Sequence, residues 1–140
     1  MTVTLAVKRA AAALLAASAV VVGAWAAFLP FSFYSDFPLP GRRWVSTIGP
    51  YNEHLVRDVG ALYLALCVLA AWSALRPTPQ ALRMTGAAWL VFNALHFLWH
   101  VDHLAVFPAA DRIGNAVSLG AVLVLSVLLV LPDPISRRAS

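Results

Sequence analysis

Four long stretches of this chain carry no charged side chain: Ala10–Leu29, Val59–Leu75, Met84–Val101 and Ile113–Pro132. A helix needs about 17–25 predominantly apolar residues to cross a bilayer, and all four stretches qualify, the second and third only if their polar ends count as membrane-embedded. Their Ala/Leu content, without period-two alternation, argues for helices rather than strands. With 61% hydrophobic and only 11% charged residues, the chain cannot wet a surface of its own, so lipid is its solvent. The expected fold is all-α: one membrane domain over residues 1–140, an antiparallel four-helix bundle. Helices are expected at about 8–30, 50–76, 79–106 and 111–132, with an aromatic-rich loop at 31–50.

Local signals support these limits. Pro30 is expected to stop the first helix. Gly49-Pro50 opens the second, Thr78 caps the third with Pro79 at its first position, and Asp111 caps the fourth. Lys8-Arg9, an apolar run and Ala24-Trp25-Ala26 resemble a signal peptide, but the run exceeds the ~7–15 residues of a signal core. An uncleaved first helix is expected. Counting Lys and Arg places Lys8, Arg9, Arg76, Arg83, Arg137 and Arg138 on one side, and Arg42, Arg43, Arg57 and Arg112 on the other. By the positive-inside rule both termini are cytoplasmic, in a multi-pass protein of the cell membrane. The net charge of +4 does not signal nucleic acid, because the basic residues flank apolar segments instead of clustering. The lone Cys67 excludes an intrachain disulfide and reads as a small buried residue.

The ionisable chemistry gathers at one end. Asn93, His96, His100 and His103 follow at i, i+3, i+7 and i+10, so they form one stripe on the third helix, extended by Trp89 and Phe107. His54 and Asp58 share a face of the second helix, and Glu53 with Arg57 forms an adjacent i, i+4 pair. Pairing the second and third helices as a hairpin brings residues whose numbers sum to roughly 157 to one depth, with Asn115 and Ser118 at the same level. Such groups are costly in hydrocarbon unless they face the bundle interior, so they mark a functional site by default. Imidazole and carboxylate together suit a transition metal: zinc, iron, manganese or oxidised copper. The candidate ligands are His54, Asp58, His96 and His100, with His103 next. Glu53 or Asp58 is the candidate base, and Asn93, Arg42 and Arg43 are candidate cofactor or headgroup contacts. Haem held by two histidines is permitted but not required. His96-x-x-x-His100-x-x-His103 looks like a fragment of a desaturase histidine box, but four histidines are about half of what those families use. The paired Glu-x-x-His pattern of four-helix di-iron proteins is absent.

The segment FSFYSDFPLPGRRWVSTIGPY between the first two helices reads either as an interfacial aromatic belt or as a lid over the polar site. In size and layout, with Arg57-Asp58-Val59-Gly60-Ala61-Leu62 opening the second helix, the chain resembles the small DoxX-like bacterial membrane proteins. The resemblance covers the helical layout alone and implies no functional residue. Three readings of the polar site stand. One is a metal-binding membrane protein, with possible enzyme action on a lipophilic substrate. Another is a metal-free acid–base enzyme or binder of an apolar small molecule. The third is an accessory subunit of a larger membrane complex or homo-oligomer, its stripe packed on a partner.

Overall fold

A computed structural model describes residues 2–133. Those residues are helical with no strand: α1 (Leu5–Phe28), α2 (Pro30–Asp36), α3 (Glu53–Leu75), α4 (Pro79–His103), a 3-10 turn at Leu104–Val106, and α5 (Ala109–Val130). Arg137 and Arg138, which enter the charge count above, lie outside the described residues. Side-chain caps fix three starts: Thr4 accepts from Val7 N–H, Asn52 from Leu55 N–H and Thr78 from Ala81 N–H.

Several expected boundaries shift. The first helix does stop before Pro30, at Phe28, but Pro30 also opens a short α2, because its missing N–H is harmless at a first helical position. Residues 31–50 are therefore not all loop. Gly49-Pro50 precedes α3, whose cap is Asn52. Asp111 lies inside the first turn of α5, behind Pro108, with its carboxylate turned to Arg42 instead of capping. The last expected turn of the third helix tightens into the 3-10 segment.

α1, α3 and α5 are each long and apolar enough to cross a membrane. The third apolar stretch departs from expectation here. α4 has 25 residues, but Asn93, His96 and His100 within its apolar stretch lower its hydropathy out of that class.

Two close helix pairs build the structure. α1 and α3 meet through small residues. At Gly60 an added Cβ would stand 2.4 Å from Ala27 N, so the two backbones approach as no side chain would permit. α4 and α5 meet along Gly86, Asn93 and Phe97 on one side and Leu129, Ser126, Val122 and Gly120 on the other. The pairs share a core near the chain termini, the tail end, where Ala12, Leu15 and Ala19 of α1 meet Leu66 and Ala70 of α3, Trp89 of α4 and Leu129 of α5. Polar ties reinforce it: Trp89 Nε1–H donates to Leu66 O, and the Ser73 and Thr85 hydroxyls lie 2.7 Å apart. Ser73–Thr85, Leu66–Trp89 and Tyr63–Phe92 follow the expected numbering sum.

Lys8 closes the tail end. It is fully buried, donates to Leu131 O and pairs with Asp133 at 2.9 Å, and Asp133 also meets Arg83. Toward the opposite, loop end, α3 and α4 part. Leu55, Val59 and Leu62 continue the stripe that puts Leu66 against α4, yet all three are exposed while Leu66 is buried. A second cluster there, Ala26, Phe33 and Val56 with Trp25, Phe37 and Tyr51, fastens α2 and the following loop to the α1–α3 pair.

Candidate functional site

The α4 stripe splits between two neighbours. Asn93 and His100 turn toward α5 and are buried, at 2% and 9% exposure. Asn93 Nδ2–H donates to Ser126 Oγ (2.8 Å) and Val122 O (3.2 Å). His96 is half-buried, stacked on Phe92, with its ring centroid 4.6 Å from that of His100. His103 is exposed, stacks on Trp99 at 4.0 Å and bonds through Nδ1 to Trp99 O.

α5 answers with a stripe of its own. Asp111, Asn115, Val122, Ser126 and Leu129 recur at helical spacing on the face toward α4. Asn115 is 1% exposed and lies opposite His100. The segment after α2 reaches across to this pair. Arg42 Nη1–H donates to Asp111 Oδ1 at 3.0 Å, and the Trp44 indole lies on α5 so tightly that a Cβ on Gly114 would stand 2.9 Å from its Cζ2. Phe37 backs Trp44 edge-on. The segment crosses to α5, and Arg42, expected to be available for a headgroup or substrate, is committed to the Asp111 carboxylate. Arg43 stays exposed at a positive φ of 58°.

The remaining candidates stand elsewhere. His54 and Asp58 form a 2.8 Å pair, 81% and 62% exposed. The opposite side of α3, at Val56 and Gly60, packs on α1, so this pair points away from that contact. Glu53 pairs with Arg57 at 2.8 Å, and Arg57 also donates to Ala27 O, so both serve the α1–α3 junction. Among the described residues, no three His, Cys, Asp or Glu side chains gather to hold a metal ion. His96 and His100 are the pair that the structure brings together.

Comparison with family models, with curated proteins and with solved structures found no match. The chemistry of the site must therefore be read from its own groups.

Four buried side-chain atoms among the described residues lack a partner in the protein: Trp44 Nε1, Asn93 Oδ1, His100 Nδ1 and Asn115 Nδ2. All four belong to the α4–α5 pair and the segment crossing it. Asn93, His100 and Asn115 are within reach of sequence reading, being polar residues on apolar helices. Trp44 is not, because it sits among aromatics without helical period.

Proposed function

We propose that the protein is a multi-pass cell-membrane protein, an antiparallel four-helix bundle with both termini cytoplasmic, that binds a lipophilic small molecule between α4 and α5 near its outer face. In this reading α4 also crosses the bilayer, its polar stripe screened by α5 and by the Trp44 segment. The observation that carries it is the set of unpartnered buried atoms of Trp44, His100 and Asn115 in one corner of an otherwise apolar interior. A few polar groups set in apolar surroundings are what fixes a ligand in most small-molecule sites. Parting of α3 and α4 at the loop end supports lateral access from lipid. Likeness in layout to the DoxX-like proteins is consistent with this but assigns no ligand.

The test is photolabelling in lipid nanodiscs with a hexyl-substituted benzophenone, followed by peptide mapping. Saturable labelling confined to peptides holding Trp44, His100 or Asn115 supports binding there. Labelling that rises linearly with probe and spreads evenly over all helices refutes it.

A second reading, metal binding, rests on the adjacent His96 and His100 rings and the unengaged His100 Nδ1. These imidazoles would hold a zinc, iron, manganese or copper ion, but they fall short of the three protein ligands usual for catalytic zinc. His54, Asp58 and His103 would not join them without rearrangement. Elemental analysis of the detergent-purified protein beside a His96→Ala/His100→Ala variant decides: a near-stoichiometric metal lost in the variant establishes it, and no metal in either removes it.

A further inference from the structure

We infer that residues 37–44 form a strap that gates the α4–α5 site: the two helix pairs move as rigid bodies hinged at the tail end, and release of Arg42 and Trp44 from α5 opens the loop end. This rests on the binding reading above and adds how access to that site is controlled.

Each pair is interlocked along its length. α1 and α3 are joined from Arg9, which donates to Ala74 O near the tail end, through Cys67 on Ala16 O to Gly60 on Ala27. α4 and α5 are joined from Gly86, where a Cβ would stand 2.6 Å from Leu129 Cβ, through Asn93 on Ser126 to Phe97 beside Gly120. Contacts this close leave little room for a pair to deform internally.

The ties between the pairs are distributed otherwise. Val3 N–H donates to Pro132 O, Lys8 to Leu131 O and Asp133, Trp89 Nε1–H to Leu66 O and the Thr85 hydroxyl to Leu69 O, all in the tail half. Beyond the Tyr63–Phe92 contact, Arg42 to Asp111 is the sole hydrogen bond joining the two pairs among the described residues. On the α3–α4 side nothing replaces it, since Leu55, Val59 and Leu62 are exposed.

The strap is anchored at its base and turned sharply at its tip. Phe37 packs on Trp25 and Phe33 and its carbonyl accepts from Trp44 N–H at 2.8 Å, so the base moves with α1–α3. Gly41 at φ 88° and Arg43 at φ 58° turn the chain on either side of Arg42. The left-handed region is costly for an arginine, and that cost favours release of the tip. Release would also uncover Asn115, which follows the glycine on which the Trp44 indole sits. A helix of about 20 residues rises about 30 Å, so a tilt of about 10° at its base moves its far end about 5 Å.

The experiment is dipolar electron paramagnetic resonance in nanodiscs, on Cys67→Ala protein carrying nitroxide pairs. Labels at Leu55→Cys and Val117→Cys span the loop end, and labels at Trp72→Cys and Val127→Cys span the tail end. All four positions are exposed, and α3 and α5 are not neighbours, which leaves room for the labels. Asp111→Asn removes the ion pair, and Gly114→Ala unseats the indole, because its Cβ would stand 2.9 Å from Trp44 Cζ2. Each should lengthen the loop-end distance by about 5 Å and leave the tail-end distance unchanged. In the same variants, benzophenone bound at the site should leave severalfold faster on dilution into empty nanodiscs. Unchanged loop-end distances in both variants overturn the hinge while leaving the binding site standing. Lengthening at both ends reports general loosening and overturns it too. A longer loop-end distance with an unchanged release rate overturns the gate. Absence of saturable labelling in the wild type removes the binding reading itself, and the gate with it.

Discussion

Replacing Gly60 with alanine tests the close pairing of α1 and α3 directly. The added Cβ would lie 2.4 Å from Ala27 N, 2.8 Å from Ala27 Cα and 2.9 Å from the Ala26 carbonyl carbon, all backbone atoms that cannot rotate away. The helices must separate by about 1 Å to restore ordinary contact, and overpacking of this kind costs about 1–3 kcal/mol. Backbone neighbours put the cost at the upper end, about 3 kcal/mol. Alanine recovers up to about 1 kcal/mol over glycine in a helix, leaving a net loss of about 2 kcal/mol. Gly120 is the internal control. Its nearest neighbour to an added Cβ is Phe97 Cε2 at 3.8 Å, so alanine there keeps the propensity gain of up to about 1 kcal/mol and stabilises. Unfolding by SDS in mixed micelles, followed by far-ultraviolet circular dichroism, reads both. Shifts of the same sign in the two variants, or no change in Gly60→Ala, refute the packing argument.

Other outcomes follow from the ties described. Hydrogen bonding from Lys8 foremost, and then its charge and that of Arg83, hold the Asp133 carboxyl below its usual 3.8. A depressed carboxylate stabilises at neutral pH and loses that contribution as pH falls below 3.8, so the stability gap between wild type and Asp133→Asn should narrow in that acid range. A double-mutant cycle with Asn93→Ala and Ser126→Ala should give a coupling of about 0.6 kcal/mol and not above about 1.7, the range of interhelical hydrogen bonds in membranes. With Cys67 replaced by alanine, a membrane-impermeant maleimide added to intact cells should label Ser46→Cys and spare Gln80→Cys until the membrane is opened. The reverse pattern would invert the proposed orientation.

The all-helical character was legible because charge-free length is a property of sequence alone; the number was not, since α2 arises where a loop was expected and α4 is not among the three helices apolar enough to span. The depth register of α3 against α4 was legible too, because the short turn at Arg76–Thr78 imposes it. The strength of that pairing was not. α3 gives its small-residue face, Gly60 and Cys67, to α1, and nothing in the spacing of α3 says which neighbour takes that face. For the same reason His54 and Asp58, correctly grouped with each other, could not be placed relative to His96 and His100: helix rotation decides, and it is set by backbone contacts such as Gly60 on Ala27. Asn115 was visible as a polar residue at the right level. Trp44 was hidden, since its role comes from a loop crossing to Gly114, and an aromatic-rich loop reads equally well as an interfacial belt.

The unequal fastening of the two ends has a mechanical corollary. At the tail end, separation would expose Leu15, Ala70, Trp89 and Leu129 and strand the buried Lys8 ammonium, a cooperative loss equivalent to unfolding. At the loop end, the α4–α5 pair is tied to the rest by the Arg42–Asp111 ion pair, whose arginine is half-exposed, and by one indole seated on a glycine. The molecule is thus a lever with its fulcrum among the termini and a weak catch at the far end. Fluctuations that release the catch leave the fulcrum intact, so the loop end can open and close while the fold stays whole.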